Sequence, residues 1–215
     1  MSGTRRPAAA SVKMKGFWIG CASTATAFAV GGAAVALLIV ETGAYNPAAT
    51  SPHMAVTVWG LHTTFMHAAK LRSAKIQPPP LTGDAVRAGM RQYEQDCVAC
   101  HGAPAVDRAE WTKGMTPTPP YLIDISRQMT PAELYWTLYN GVKMTGMPAW
   151  GPTRSPQQLW SLVAFLRAMP YLPPRTYLQM RQGLPRSGIG KGAGQEPLGH
   201  PGVLQDGPLP AKASR

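Results

Sequence analysis

Two cysteines and a histidine stand within five consecutive residues, Cys97, Cys100 and His101. Thiols separated by two residues lie about one helical turn apart, so both can add to the two vinyl groups of one porphyrin. The adjoining imidazole is then placed to bind the iron from one side. This is the spacing of covalent haem attachment. It predicts one bound haem c, with His101 as an axial iron ligand.

Three other uses of the cysteine pair were weighed against haem. A redox dithiol of the thioredoxin kind opens a helix after a strand, whereas this pair ends a helical pattern and no alternating strand pattern surrounds it. A zinc site requires further ligands, usually a second Cys/His pair, and none is formed by the remaining histidines, His53, His62, His67 and His200. Purely structural thiols are the third alternative. The haem interpretation is favoured over all three.

The second axial ligand is expected to be a methionine. The chain has 11 methionines, so only context can select one. Met147 lies between two predicted helices, where no helical period requires its side chain and Pro148 stiffens the backbone. Met144 is the main rival, followed by Met115 and Met129. A thioether ligand raises the reduction potential relative to two histidines.

Two predicted helix starts share one sequence pattern. Thr130 precedes Pro131, with Glu133 three residues after the threonine, and Ser155 repeats the pattern. A hydroxyl N-cap, a proline in the first turn and an acid or amide at the third position together begin a helix. Gly141 is predicted to end the first of these helices, and Pro170 the second.

An earlier helix is predicted over residues 84–100, directly before the imidazole. Between it and the next helix, residues 102–129 contain four prolines and no periodic run, so this interval is predicted to be a long loop. A loop of that length in a small domain must wrap around something. We therefore expect it to enclose part of the haem.

These motifs together resemble a known family. Residues 82–173 are similar to a class I monohaem cytochrome c of the short bacterial type, and residues 140–151 resemble the segment that carries its methionine ligand. The resemblance implies an all-α fold, with three to four helices around one haem. It also implies that the cofactor is held by Cys97, Cys100, His101 and Met147, the last two binding the metal.

The resemblance has two further structural implications. Gly89 and Tyr93 match a glycine and an aromatic residue of the family's first helix, where it crosses the C-terminal helix. The crossing is expected near its residues Trp160, Val163 and Ala164. The family also places a proline-rich turn beside the histidine, so a carbonyl at or near Pro119-Pro120 is expected to accept the imidazole N–H.

The N-terminal region has the pattern of a membrane anchor. Residues 1–16 form a basic arm without an acid, and residues 17–40 contain no charged side chain. Twenty-four residues suffice to cross a hydrocarbon layer of roughly 30 Å. The basic arm predicts a cytoplasmic N-terminus and a single pass through the inner membrane, with the haem domain in the periplasm, where thioether attachment takes place. A cleaved signal peptide, cut near residues 42–44, is the alternative.

The segments on either side of residues 82–173 are given different roles. Residues 41–81 are predicted to form a bridge, with a helix from about His53 to Lys75 and a proline-rich spacer. That helix is expected to lie on the membrane surface or against a partner. Residues 174–215 are predicted to be a C-terminal extension, disordered from about residue 183 because they are rich in Gly and Pro and poor in aromatic residues.

Composition restricts the function further. At 215 residues the chain is too short for a large multidomain enzyme, and only 14% of its residues are charged despite a net charge of +11. Four of its cations precede the apolar segment and no array of basic and aromatic residues follows, so nucleic-acid binding is not expected.

The sequence therefore predicts a membrane-anchored electron carrier rather than an enzyme. It would pass single electrons between respiratory or dehydrogenase complexes and a terminal acceptor. Its partners would be redox proteins and membrane lipid, with no small-molecule substrate. The first alternative is a haem subunit of a larger membrane oxidoreductase complex. A haem protein that binds gases or reacts with peroxide is disfavoured, because no His or Arg is placed near Met147.

Overall fold

The computed structural model describes residues 9–184, and the regular secondary structure in that range is helical. Its described part contains no strand, only an isolated antiparallel bridge between Ala103 and Val106. Contacts divide the chain into two units at Val58. In chain order the helices are α1 (Ala9–Thr42), α2 (Ala55–Ser73), α3 (Gly83–Asp96), α4 (Val98–His101), α5 (Leu122–Gln128), α6 (Pro131–Asn140), α7 (Pro156–Ala168) and α8 (Pro174–Gln182), with 3-10 turns at Glu110–Gly114 and Met169–Tyr171.

Helix α1 contains the predicted apolar segment. Within it, Gly16–Thr42 is long and apolar enough to cross a membrane. All described side chains of this stretch are exposed, which suits contact with lipid tails, although a signal sequence would meet the same criteria of length and composition. The single N-terminal apolar helix therefore agrees with the predicted span over residues 17–40.

Helix α2 lies close to its predicted bounds, and its two halves differ. In the second half Ala69 and Ser73 are 1% and 3% exposed, and the Phe65 ring lies 6.4 Å from that of Trp136 in α6. This half packs against the helical domain of the chain itself. The first half leaves large apolar side chains exposed, namely Val56, Val58, Trp59 and Leu61.

Helices α3 and α7 cross at the centre of the domain. A Cβ atom at Gly89 would collide with the Ser161 carbonyl and would lie 2.8 Å from the Phe165 Cβ. The missing side chain therefore allows the two backbones to meet. Tyr93, fully buried, places its ring 5.1 Å from that of Phe165. The expected crossing is present, with Ser161 and Phe165 as the residues that contact Gly89.

Both predicted helix starts are formed as complete capping boxes. The Thr130 hydroxyl accepts from the Glu133 amide at 3.3 Å, and the Glu133 carboxylate accepts from the Thr130 amide at 2.7 Å. Ser155 and Gln158 exchange the same pair of bonds at 3.3 and 2.8 Å. Each pair satisfies two amides that a helix leaves unbonded at its first turn.

The predicted continuous helix over residues 84–100 is interrupted. The backbone leaves helical geometry at Cys97, with φ −124° and ψ −37°, and a single further turn, α4, follows. The break separates the first thiol from the turn that carries the second thiol and the imidazole.

The interval 102–129 is not wholly a loop, which corrects the sequence analysis. It contains the 3-10 turn Glu110–Gly114 and the two-turn helix α5. At the end of α5, Arg167 of α7 donates to the carbonyls of Ser126 and Met129 at 2.6 and 3.3 Å. Seven residues are too few to show a helical period, and the carbonyls that end this helix are satisfied from 41 and 38 residues away.

The helical domain also continues beyond Pro173, through helix α8. Its Tyr177 is fully buried, and the Tyr177 hydroxyl donates to the Glu94 carboxylate of α3. Arg181 Nε donates to the other Glu94 oxygen at 2.9 Å. Burial and the neighbouring carboxylate raise the pKa of Tyr177. The first part of the predicted extension thus packs on the core, while the disorder expected for the tail falls almost wholly on residues outside the described range.

Candidate haem-binding site

The two predicted attachment thiols lie at the ends of one helical turn. Cys97 is buried and Cys100 half-buried, and they are not joined by a disulfide. The amides of Cys100 and His101 both donate to the Cys97 carbonyl, at 3.1 and 2.9 Å. Backbone hydrogen bonds therefore hold the imidazole-bearing residue next to the second thiol and one turn from the first.

The local electrostatics keep both thiols protonated. Burial raises the pKa of Cys97 to about 12, and it also raises the pKa of Cys100. A thioether formed with a vinyl group carries no charge and suits a buried site. Among the described residues no group of three or more His, Cys, Asp and Glu side chains could hold a metal ion.

His101 is held in the form that binds iron. Its side chain is buried, and its Nδ1–H donates to the Pro120 carbonyl at 2.8 Å. Since a carbonyl only accepts, the proton is on Nδ1 and Nε2 keeps its lone pair. Burial lowers the pKa of His101 and favours this neutral ring. The proline turn suggested by the family resemblance supplies the acceptor, and the structure identifies Pro120.

Tyr93 supports the end of the attachment turn, a role the sequence analysis did not identify. Its hydroxyl donates to the Gly102 carbonyl at 2.5 Å, beside the imidazole residue. Gly102 has φ +64°, and a Cβ there would lie 2.9 Å from both Tyr121 Cε1 and the Val106 carbonyl. Only glycine fits both the left-handed backbone and the narrow space. A tyrosine one turn before the first cysteine was the available signal.

The segment that carries Met147 is shaped by short-range hydrogen bonds. The Thr145 hydroxyl donates to the Val142 carbonyl at 2.8 Å and accepts from the Met147 amide at 3.1 Å. The Val142 amide donates to the Met147 carbonyl at 3.2 Å. Gly141, with φ +66°, lies so close that an added Cβ would be 2.6 Å from the Ala149 nitrogen.

The surroundings of the four candidate methionines differ. Met147 is half-buried and packs against the hydrophobic core. Met144 is 85% exposed, while Met129 is 3% exposed and belongs to the core. The Met115 side chain lies against Gly146 in the methionine segment. Burial therefore favours Met147 over Met144, and its role as iron ligand stays a prediction.

Two further groups fit the polar edge of a haem. Within the described residues, Thr137 Oγ1 and Trp150 Nε1 are buried side-chain atoms without a hydrogen-bond partner. The two residues are close in the fold, because the Trp150 amide donates to the carbonyl of Leu138, the residue after Thr137, at 3.0 Å. Unpaired buried donors are costly, and the carboxylates of a haem accept hydrogen bonds. The paired thiols, the oriented imidazole and these two donors thus match a haem, which supplies a reversible one-electron couple when bound.

The comparison with protein families agrees with this site. Residues 84–166 match the family described as "Cytochrome C oxidase, cbb3-type, subunit III". The region is therefore a c-type cytochrome domain, a class of protein that binds haem and transfers electrons. The all-α cytochrome c fold predicted from the sequence is confirmed. No curated protein matches the chain.

Proposed function

We propose that the chain is a membrane-anchored cytochrome c with one haem, which carries single electrons between respiratory or dehydrogenase complexes and a terminal acceptor. The observation that carries the proposal is the imidazole of His101, kept neutral by burial, oriented by the Pro120 carbonyl and placed beside Cys97 and Cys100. Such an arrangement supplies a strong axial nitrogen ligand and two points of covalent attachment.

The proposal of a carrier rather than an enzyme depends on the second axial position. Met147 is half-buried in a segment closed by the Val142 and Thr145 hydrogen bonds. If His101 and Met147 both held the iron, small molecules would be kept from it, while electrons could still pass through the haem edge. Tethering the domain by α1 raises its effective concentration near membrane complexes, so tight binding in solution is unnecessary.

The proposed orientation places α1 in the inner membrane and the cytochrome domain in the periplasm. It is supported by the basic residues before the span and by the apolar length of Gly16–Thr42. Residues 41–180 hold 12 Lys and Arg against 8 Asp and Glu. This small excess provides only weak steering toward an acidic partner.

The test uses full-length protein purified from membranes in mild detergent. We expect covalently bound haem, a one-electron potentiometric titration and no binding of carbon monoxide to the ferrous protein. Membrane extraction should require detergent rather than salt. Ready binding of carbon monoxide would contradict the carrier, and protein released by osmotic shock alone would contradict the anchor.

A second candidate is a haem subunit of a larger membrane oxidoreductase complex. The first half of α2 favours it, since Val56, Trp59 and Leu61 are 65%, 68% and 56% exposed. Apolar side chains on several sides of an exposed helix are typical of a buried interface. The matched family is named for an oxidase subunit. Stoichiometric co-purification with a catalytic subunit would favour this candidate over a free carrier.

A further inference from the structure

We propose that Arg108 is a positioning residue for the axial imidazole: it fixes the turn whose Pro120 carbonyl accepts the His101 N–H. This inference rests on the proposed function, because the imidazole matters as an iron ligand. The Arg108 side chain is bonded to Pro119 and stacked on Tyr121, and in the proposal it is not a ligand of the haem. It acts on the two residues that flank Pro120.

Arg108 holds the turn on both sides of Pro120. Its Nη1 donates to the Pro119 carbonyl, and its guanidinium carbon lies 4.2 Å from the centre of the Tyr121 ring. A guanidinium can do both at once, since its edge carries N–H donors and its flat face stacks on an aromatic ring. Pro119 and Tyr121 are therefore held by one half-buried side chain, with Pro120 between them.

The backbone next to Arg108 is tied to the attachment turn. The amide of Ala109, the next residue, donates to the Ala99 carbonyl at 2.8 Å. Ala99 lies between the two attachment cysteines. The acceptor and donor of the His101–Pro120 hydrogen bond are thus fixed to each other by a closed path: from the cysteine turn through Ala109 and Arg108 to the proline turn.

This path has a consequence for the iron. A short N–H···O=C bond makes an imidazole a stronger donor, which stabilises ferric over ferrous iron. Without the arginine clamp, the proline turn is free to move, and this hydrogen bond becomes longer or opens more often. The His101 N–H then exchanges faster with solvent, and the potential rises if the positive charge is kept.

The chain offers a matched control in Arg127. Its Nη2 donates to the Pro170 carbonyl at 3.1 Å, and its guanidinium carbon lies 5.8 Å from the centre of the Tyr171 ring. The contacts are of the same kind as those of Arg108, an arginine on a proline carbonyl and on an aromatic ring, which is one residue later here and two residues later for Arg108. Pro170 is not bonded to His101, whose recorded acceptor is Pro120.

The experiment compares Arg108→Lys and Arg108→Met with Arg127→Lys and Arg127→Met in the haem-loaded, full-length protein. The first readout is solvent exchange of the axial imidazole N–H, followed by NMR. We expect at least tenfold faster exchange in both Arg108 variants and wild-type rates in both Arg127 variants. Arg108→Lys keeps the charge without the planar fork, so its reduction potential is expected to shift upward.

The outcomes separate this inference from the proposed function. If Arg108→Lys binds haem but keeps the wild-type exchange rate and potential, Arg108 has no positioning role. If Arg108→Met fails to fold, the lysine variant still decides the question. If the wild-type protein binds no haem, the proposed function fails, which is a separate result. Equal changes in the Arg108 and Arg127 variants would indicate general loosening and would also overturn the inference.

Discussion

The segments that carry the two predicted axial ligands are built differently. His101 is buried, and its surroundings are bonded across the chain, to Pro120 19 residues away and through Tyr93 to Gly102. Met147 is half-buried, and the recorded bonds within its segment join residues two to five positions apart. One predicted ligand is held by tertiary contacts and the other by a local turn.

Because of this difference, we expect substitutions near His101 and substitutions near Met147 to have different effects on stability. Long-range bonds on the histidine side form together with the core, since Tyr93 is also part of the α3–α7 crossing. Losing them should reduce the stability of the whole domain. The methionine segment can open without unfolding the helices around it, because local opening costs less than global unfolding.

The largest effect is expected when covalent attachment of the haem, on which both segments depend, is removed. Replacing both attachment residues, in Cys97→Ser with Cys100→Ser, removes the thioether bonds and should abolish covalent haem. The measurement is haem mass and haem staining after denaturing electrophoresis. The matched control is Cys21→Ser, since Cys21 is an exposed residue of α1, and it should keep its haem. Haem that survives denaturation in the double variant would contradict the attachment site.

The next largest effect tests the methionine side. Met147→Leu should remove the weak far-red sulfur-to-iron band of the ferric protein and permit carbon monoxide to bind. Its potential should fall on the order of 0.1 V, part of the roughly 0.8 V that axial ligands can span. Met144→Leu, at a position 85% exposed, should leave the band, the carbon monoxide binding and the reduction potential unchanged. A band lost in the Met144 variant would transfer the ligand to that residue.

A smaller effect is expected at the junction between α6 and the methionine segment. Gly141→Ala forces a side chain into φ +66° and against the Ala149 nitrogen, which should cost about 1–3 kcal/mol. Denaturant unfolding of the haem-loaded protein measures it. Gly114→Ala, with nothing within 4 Å of the added Cβ, should have little effect. Equal losses at the two positions would contradict the close approach.

The smallest effect tests whether the histidine and methionine segments are stabilised separately. Thr145→Val removes the hydroxyl that bonds both Val142 and Met147, at an expected cost of about 1 kcal/mol. Because the change is local, we expect faster carbon monoxide binding with little change in the unfolding midpoint. Tyr93→Phe, on the other side, should lower the midpoint and leave the methionine band intact. The opposite pattern would mean that the two segments are not built as described.

The parts of the fold that were predicted correctly depend on neighbouring residues. The two capping boxes join residues three apart, and Gly141 ends α6 through its own backbone conformation. The start of α2 was placed within two residues. Such interactions can be read from sequence because both partners stand side by side in the chain.

The parts that were missed depend on distant partners. Helix α5 ends on Arg167, 41 and 38 residues away, and α8 is held by Glu94 through Tyr177, 83 residues away. Neither pairing has a local signature. From sequence alone, Arg108 likewise cannot be distinguished from an ordinary surface cation. Its contacts with Pro119 and Tyr121 exist only in the folded structure.

The sequence by itself determined the chemistry of this protein, which lies in the paired thiols and the adjoining imidazole. It also determined the helices with clear start signals and the apolar N-terminal segment. These depend on spacing over one or two helical turns, where chain geometry leaves little choice. Only the tertiary structure decided which carbonyl orients the imidazole, which methionine is half-buried beside the core, and how far the domain extends. Those outcomes depend on bonds between residues tens of positions apart, whose pairing arises only when the core packs.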